Sequence, residues 1–340
     1  MEKKAAFLFA FLICACASVN AQNAGSTSAN FMKIPVAPIP SGLNEAYTAM
    51  IGPDSILYNP GASGLLSYNS LSIAHNSYFA GISQQYVGFN LYTRHFNIGG
   101  FFNMLSSGEI KTYDINDNAT GSTSSSHKYY GISVSKSWPR YSQDKGKADA
   151  MLISDSWTRI TKVKDYRPKV YRFSVGASAK MVSEKLDKES SSSSLFDAGA
   201  LLVLPNHWQF GASAQNMGGK QKFVEQTDEI PSVKRFGIAK DFVSKKEIMV
   251  FTFTLDSVKY SDYKNFMIFG MQTDILKMFQ LRLGYRGQKD VGGKVSVGLG
   301  MNFDRLSSKE SFFKGMRMDY ALVDYGVLGS THRLGIQLIW

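Results

Sequence analysis

The chain has 340 residues and a formal net charge of +11, with 38 Lys and Arg against 27 Asp and Glu. The basic residues are spread along the sequence, which argues against a nucleic-acid site. The only two cysteines, Cys14 and Cys16, lie in an N-terminal segment that we expect to be removed. The mature chain would then contain no disulfide, no cysteine-ligated metal and no cysteine nucleophile.

Residues 1–21 have the pattern of a secretory signal peptide. A basic start containing Lys3 and Lys4 precedes an apolar run over residues 5–17, and Val19 and Ala21 occupy the −3 and −1 positions of a cleavage site. The apolar run is shorter than the about 20 residues that a membrane-spanning helix needs. We predict cleavage after Ala21. The alternative is a lipoprotein signal with lipid on Cys16.

Residues 22–66, here called the plug segment, lack the alternation seen further along the chain. Five prolines lie in this stretch, and proline cannot donate to a β ladder, so regular sheet is excluded. Residues 41–50 are expected to form a short helix. The apolar side chains of the plug segment need burial. They are Phe31, Met32, Ile34, Leu43, Tyr47, Ile51, Ile56, Leu57, Tyr58, Leu65 and Leu66. We therefore predict that the plug segment packs inside or under the following domain.

Residues 67–340 consist largely of segments that alternate apolar and polar side chains. In residues 279–286, Phe, Leu, Leu and Tyr share one face, while Gln, Arg, Gly and Arg share the other. Residues 171–181 and 294–303 have the same pattern, which is typical of a β-strand with two different faces. About 14 such segments match the two-residue period. They begin near residues 70, 86, 96, 129, 171, 196, 208, 234, 246, 265, 279, 293, 316 and 331.

Connection lengths help to distinguish a membrane barrel from a soluble β-sandwich or β-solenoid. Short turns are predicted near residues 93–95, 205–207, 241–245 and 274–277, and long polar loops over 105–128, 184–195 and 217–233. Short turns at one end and long loops at the other are typical of outer-membrane barrels. The predicted fold is all-β, a transmembrane antiparallel barrel of about 14 strands with an N-terminal plug.

One connection, residues 137–170, is too long for this pattern. It contains eight basic residues together with Trp138 and Trp157. We expect a periplasmic insertion that is either a solvated loop or a docking element for a periplasmic partner.

The last residues, 333–340, alternate and end on Trp340. Outer-membrane barrels commonly end on an aromatic residue, and Trp favours the membrane interface.

The sequence shows no constellation that points to catalysis or to a cofactor. The five histidines (His75, His95, His127, His207 and His332) lack metal-ligand spacing, and His127 is expected in an outer loop. The serine run at 190–194 is expected to be a flexible loop. We predict no catalytic, cofactor-binding or metal-binding residue, and no enzymatic activity.

Several cations are expected to face the barrel lumen. They are Arg172, Lys180, Arg282, Arg286 and Lys294, which alternate with apolar neighbours. Two roles remain open for them, namely filling the lumen with salt bridges to the plug segment or forming a solute-selecting ring.

Several short stretches resemble a known family. These are residues 24–26, 30–34, 45–49 and 54–62, then 72–79, 105–110, 215–218, 281–286, 319–321 and 329–333. In this order they resemble the PorV/PorQ-type proteins, which are similar to the fatty-acid-transporter (FadL-like) barrels with an N-terminal plug. One departure is Asn59-Pro60-Gly61-Ala62, where the family usually has Asn-Pro-Ala-Gly.

The resemblance implies an outer-membrane protein associated with type IX secretion, acting as a shuttle or partner-binding component. The alternative is a FadL-like channel for hydrophobic solutes. Expected partners are the outer-membrane lipid bilayer, with secretion-machinery proteins or secreted cargo in the first case and a hydrophobic solute in the second. A channel needs an apolar pocket or lateral opening, which is the feature that separates the two functions.

Overall fold

The computed structural model describes residues 27–138, 171–187, 189–223, 226–244, 249–276, 278–288, 293–303 and 313–340. The predicted signal peptide and residues 139–170 of the predicted insertion lie outside the described residues. Within these ranges, no helix is both long enough and apolar enough to cross a membrane.

The described residues form eighteen strands, numbered in chain order. Their bounds are β1 Ser70–Ser77, β2 Ser83–Tyr92, β3 Asn97–Ser106, β4 Ile110–Tyr113, β5 Ala119–Thr123, β6 Ser125–Trp138, β7 Arg172–Leu186, β8 Glu189–Val203, β9 Trp208–Met217, β10 Lys220–Phe223, β11 Gln226–Glu229, β12 Val233–Val243, β13 Met249–Tyr260, β14 Phe266–Ile275, β15 Phe279–Arg286, β16 Val295–Asn302, β17 Met316–Asp324 and β18 Ser330–Ile339.

Fourteen of these strands close into one barrel, in the order β1, β2, β3, β6, β7, β8, β9 and then β12 to β18. The pairs β4–β5 and β10–β11 form separate two-stranded hairpins. The predicted fold class, a transmembrane antiparallel barrel of about 14 strands, is confirmed. The soluble sandwich and the solenoid are excluded, because a closed barrel has a single sheet with no free edge.

The first and last strands close the barrel. β1 pairs with β18 from Ser70 opposite Ile339 to Ser77 opposite His332. Beyond the strands, the Asn69 N–H donates to the Trp340 carbonyl at 3.0 Å, and the Trp340 N–H donates to the Asn69 carbonyl at 3.1 Å. The aromatic C-terminal residue is therefore part of the closing ladder.

The barrel wall is apolar outside and polar inside. In β15, Phe279, Leu281, Leu283 and Tyr285 are exposed, whereas the residues between them are buried. Every second residue of a strand points to the same side of the sheet, so the two faces differ all along the strand. An exposed apolar surface that encircles the barrel matches contact with lipid.

The two ends of the barrel differ. At one end, called the turn end, the short connections 93–96 and 204–207 join neighbouring strands. The first residue of β1 and the last residue of β18 also lie at this end. At the turn end, Trp138 stacks on Phe173, and Trp208 stacks on Phe210. Such aromatic pairs are typical of the girdle at a membrane interface. The opposite end, called the loop end, carries the hairpins β4–β5 and β10–β11.

The structure corrects both the long loop predicted over 184–195 and the flexible loop predicted at residues 190–194, because β7 runs to Leu186 and β8 begins at Glu189. These serines belong to β8, which pairs with β7 as far as Leu186 opposite Glu189. Strand pairing uses backbone groups, which serine supplies like any other residue. A run of one polar residue type shows no alternation, so the two-residue period could not reveal the strand.

Three further predictions of local structure are wrong. His127 lies in β6 and faces the lumen, so it is not in a loop. Asp241 is a buried residue of β12 that accepts a hydrogen bond from Thr252 Oγ1 at 2.6 Å, so the turn predicted over 241–245 begins only after Val243. Asp274 lies in β14, so the turn predicted over 274–277 begins only after Ile275.

The described part of the plug segment is compact but irregular. It contains two short α-helices, α1 Pro38–Gly42 and α2 Pro60–Ser63, and the 3₁₀ turns Asn30–Lys33 and Pro53–Leu57. Proline starts both α-helices, because its missing N–H is not needed in the first turn. The helix predicted over 41–50 is not observed. Asn44 and Glu45 have φ values of 51° and 71°, which end the helical path.

The plug segment lies inside the barrel, with Leu43, Ile56 and Leu65 fully buried. Its backbone approaches the wall at inward-facing glycines. A β-carbon on Gly211 would lie 2.2 Å from the Thr48 carbonyl oxygen, and one on Gly176 would lie 2.4 Å from that of Pro60. Any side chain at these wall positions would push the plug segment away.

Candidate functional site: the plug interface and a lipid-facing groove

Amide and hydroxyl side chains of the wall bind backbone carbonyls of the plug segment. The bonds, all 2.6–3.1 Å long, run from Asn76 to Val36, Asn90 to Pro53, Asn97 to Ser63 and Leu66, Ser213 to Tyr58, Gln215 to Leu57, and Ser296 to Gly42. An irregular buried backbone needs such partners, because its carbonyls lack regular secondary-structure bonds. These bonds are separate from the barrel ladder, so breaking them does not break the pairing between strands.

Glu45 is the central charged group of the plug segment. Its carboxylate pairs with Arg286 of β15 and lies 4.0 Å from Arg235 of β12. Arg286 Nε also donates to Asn44 Oδ1 at 3.1 Å. Left-handed backbone at two successive non-glycine residues costs free energy, which the surrounding ion pairs offset. This bend is therefore held in place by the wall.

A second charged cluster lies on the wall towards the turn end. Asp319 of β17 pairs with Arg282 at 2.9 Å and with Arg317 at 2.7 Å. Gln280 Oε1 accepts hydrogen bonds from both guanidinium groups. The cluster neutralises buried charge that would otherwise be costly inside the barrel.

Asp54 of the plug segment lies beside this cluster and accepts a hydrogen bond from Gln337 Nε2 at 2.8 Å. Burial raises the pKa of the Asp54 carboxyl to about 7, and nearby Asp319 adds to this, while Ser72, Arg317 and Arg282 act in the opposite direction. The charge on Asp54, at the contact between the plug segment and this cluster, therefore changes with pH near 7.

A small cavity separates the plug segment from the wall. Its lining residues are Met32, Ile34, Val36, Glu45, Leu57, Tyr58, Phe101, Tyr129, Lys180, Asp197, Gln215, Asn216, Val233, Arg235 and Tyr260. Lys180 and Asp197 form an ion pair at 2.8 Å on its polar side. The cavity encloses about 40 Å³ of free space, enough for a few water molecules. A larger solute can enter only if the plug segment shifts.

A larger apolar groove lies on the outer surface of β2, β3, β6, β7 and β8. It has a volume of about 530 Å³. Its floor is formed by the outward-facing Gly100 and Ala179, whose missing or small side chains leave the groove open, and by the backbone of Gly131 between them. Its sides are apolar or aromatic: Val87, Phe89, Phe102, Tyr130, Ile132, Met181 and Phe196.

The groove and the inner cavity meet the same part of the wall, since Phe101 and Lys180 line both. Gly131 faces the lumen at this point. A β-carbon there would lie 2.8 Å from both the Phe101 ring and the Lys180 side chain. The wall between the two spaces is thus one strand backbone thick and has no side chain at Gly131.

Four of the five predicted lumen cations are where the alternation placed them. Arg172, Lys180, Arg282 and Arg286 are buried and face inward. Lys294 is exposed, which contradicts the prediction, because β16 begins only at Val295 and the alternation no longer applies before it. Salt bridges to the plug segment were one of two predicted roles, and Arg286 makes one.

The acidic partners of these cations were not predicted from the sequence. Asp319 shares a face with Arg317 two residues earlier, so alternation alone would have placed it in the lumen. Glu45 and Asp54 gave no such signal, because the plug segment follows no regular period.

The histidines are dispersed in the structure. His127 Nδ1 lies 2.8 Å from Glu184 Oε1, and its ring contacts that of Phe31. His332 Nδ1 lies 2.7 Å from the Tyr320 hydroxyl on the outer face. Among the described residues, no group of three or more His, Cys, Asp or Glu side chains is arranged to hold a metal ion.

Comparisons with known proteins match the fold but not the sequence. No family model and no curated protein matches the chain. Its structure is similar to the Pseudomonas putida toluene transporter TodX, with a TM-score of 0.52 and 10% identity, covering 94% of this chain and 98% of that chain. The barrel fold is FadL-like. A Pseudomonas aeruginosa FadL homologue matches with a TM-score of 0.50 and 8% identity, covering 90% of this chain and 98% of that chain.

Proposed function

We propose that the protein is an outer-membrane channel for small hydrophobic solutes. The fold is shared with a toluene transporter, and the outer face of the barrel is apolar around its circumference. A barrel of this kind reaches the outer membrane after secretion, which agrees with the predicted signal peptide and cleavage after Ala21.

The observation that carries the proposal is the position of the apolar groove. It lies on the lipid-facing side of the stretch of wall that also bounds the inner cavity. The apolar side of that cavity includes Ile34, Val36 and Phe101. Gly131 is paired with Phe101 of β3 and Lys180 of β7, so passage at this point would also need a local opening of one of these strand pairs. The solute would then enter a groove already lined for apolar contact.

Passage requires the plug segment to shift, because the inner cavity holds only water-sized free space. Helix α2 packs against β6, β7 and β8, which are three of the strands that carry the groove. Release of α2 from these strands would widen the lumen beside the groove. Release of the plug segment would by itself leave the barrel ladder intact. In the described residues the plug segment contacts the barrel strands through side chains and close glycine contacts, and the Ser28 N–H donates to the Glu229 carbonyl of the β10–β11 hairpin, outside that ladder.

The type IX secretion role implied by the PorV/PorQ resemblance gains no support from the comparisons. It rested on the resemblance alone. The apolar groove on the stretch of wall that also bounds the inner cavity supports a channel more than a partner-binding barrel. The channel is therefore the function we favour.

Filling the groove tests the proposal. Ala179→Trp places a bulky side chain on the groove floor, while Ala177→Trp places the same side chain two residues away on the same outward face, outside the groove. We expect uptake of toluene by whole cells to fall in Ala179→Trp and to stay at the wild-type level in Ala177→Trp. Equal uptake by the two variants, with both folded by heat-modifiable gel mobility, would exclude the groove from the route.

A further inference from the structure

The outer surface changes character directly above the groove, on its loop-end side. Tyr130 of β6 and Met181 of β7 form the upper rim of the groove, where the Tyr130 hydroxyl approaches Met181 Sδ at 3.7 Å. The next outward-facing residue of β6 is Lys128, and β7 continues outward with Ser183 and Lys185. The apolar band therefore ends in a polar shelf that contains two exposed lysines.

The two lysines are near neighbours. In the β6–β7 register Lys128 lies opposite Ser183, and Lys185 lies opposite Ser126. Residues in this diagonal relation are about 7–8 Å apart at the backbone, within reach of long side chains. Two flexible ammonium groups at that spacing can contact one phosphate.

The nearby acidic residues do not neutralise these lysines. Glu184 faces the lumen and pairs with His127, and Asp187 accepts a hydrogen bond from Thr123 at 3.1 Å. Within the described part of the chain, Lys128 and Lys185 form no ion pair. Their charge remains available to a ligand from the membrane.

We propose that this surface binds a phosphate-bearing lipid of the outer leaflet. Its acyl chain lies in the groove over Gly100 and Ala179, and its phosphate contacts Lys128 and Lys185. The occupant is a membrane lipid because the groove opens within the apolar, lipid-facing band of the barrel. A free phosphate ion would contact the lysines but would leave the groove unoccupied.

The geometry suits a lipid that spans this boundary. The groove offers apolar burial, which favours an acyl chain, and the lysines attract the anionic headgroup at the membrane surface. Ser183 and Ser192, opposite one another on β7 and β8, add hydroxyl donors to the shelf. An apolar groove alone, or a pair of lysines alone, is a common surface feature. Here the groove and the lysines adjoin, which fits one amphipathic anion.

This inference goes beyond the proposed channel and does not depend on it. A lipid on this site would occupy the groove between passages of solute, and the site would exist even if no solute passed. Binding of lipid and uptake of toluene are separate measurements, so either proposal can fail alone.

The test uses full-length protein, freed of lipid in detergent and titrated with diphosphorylated lipid A under native mass spectrometry. The double variant Lys128→Gln/Lys185→Gln is compared with Lys234→Gln/Lys259→Gln. The control removes two outward lysines that lie opposite one another on β12 and β13, away from the groove. We expect the first variant to lose about tenfold in affinity and the control to match the wild type.

Two further arms separate the halves of the site. Ala179→Trp, which fills the groove, should also weaken lipid A binding, whereas Ala177→Trp should not. Dephosphorylated lipid A should bind more weakly to the wild type, and inorganic phosphate should fail to displace bound lipid A. The proposal is overturned if Lys128→Gln/Lys185→Gln binds like the wild type, if Ala179→Trp has no effect on binding, or if inorganic phosphate competes effectively.

Discussion

Gly298 of β16 and Gly42 of the plug segment meet backbone to backbone, so that a β-carbon on Gly298 would lie 3.1 Å from the Gly42 Cα. The neighbouring residue Leu299 faces lipid and is 49% exposed. Adjacent residues of one strand thus touch two different environments, as expected for alternation in a membrane barrel.

Arginine substitutions at these neighbours should therefore have different effects. Leu299 lies in the middle of β16, so Leu299→Arg places a charge deep in the lipid and should cost about 2–4 kcal/mol of folding free energy. Gly298→Arg should instead crowd the plug segment and expose it to protease while the barrel stays folded. Urea titration in lipid vesicles, combined with limited proteolysis, measures both. Equal loss of folding free energy in the two variants would refute the face assignment.

Asp54 should make stability depend on pH. Its pKa in the folded protein is raised to about 7 from the ordinary value of 3.8, so the folded state binds the proton more tightly than the unfolded state. The contribution of Asp54 to the free energy of unfolding is therefore greatest below pH 3.8. It falls by roughly 1.4 kcal/mol per pH unit as the pH rises from 3.8, and it is lost at about pH 7.

Asp54→Asn removes this proton without removing the side chain. We expect the variant to lose part of the decrease in unfolding free energy between pH 4 and pH 7, as measured by urea titration at each pH. If the variant has the same pH dependence as the wild type, ionisation of Asp54 does not lower the free energy of unfolding.

The alternation of side chains carried most of the fold prediction, because a lipid-facing wall imposes it on every strand. β15 and β16 show it without interruption, and their bounds were predicted closely. Alternation is silent where both faces are alike or where the chain path depends on distant strands. Serines 190–194 show no contrast between faces, and the path of Asn44 and Glu45 depends on Arg235 and Arg286 of distant strands.

The site was predicted less completely than the wall. Alternation placed Lys180 and Arg282 in the lumen, but their partners Asp197 and Asp319 lie on strands whose pairing order is a tertiary property. The groove depends on small residues of three adjacent strands, Gly100, Gly131 and Ala179, whose register the sequence does not show directly.

Truncations at the two ends should have opposite consequences. Deleting residues 22–56 removes no rung of the barrel ladder, so the barrel should still assemble and should admit antibiotics more readily. Deleting residues 334–340 removes most of the partner of β1 and leaves its backbone groups facing lipid, at several kcal/mol each. Heat-modifiable gel mobility reports assembly. A plug deletion that fails to fold, beside a C-terminal deletion that folds, is incompatible with this architecture.

The mature chain is expected to start at Gln22 and to fractionate with the outer membrane. This follows from the basic start, the apolar run and the residues Val19 and Ala21. Mass spectrometry of the N-terminal peptide identifies the cleavage site. A diacylglycerol group on Cys16 would instead identify a lipoprotein.

A reversible disulfide between α2 and β6 tests whether solute passage requires α2 to leave the wall. Ser63 of α2 and Ser135 of β6 have hydroxyl oxygens 3.0 Å apart, so Ser63→Cys/Ser135→Cys places two thiols in contact. The predicted mature chain has no other cysteine, and each single cysteine variant serves as a control. Disulfide formation is followed by gel mobility under non-reducing conditions.

The decisive measurement is toluene uptake by cells carrying this double variant, before and after reduction. We predict low uptake while the disulfide pins α2 to β6, and recovery to the wild-type level once it is reduced. Equal uptake in the oxidised and reduced states, with the disulfide shown to be formed, would contradict passage by displacement of the plug segment.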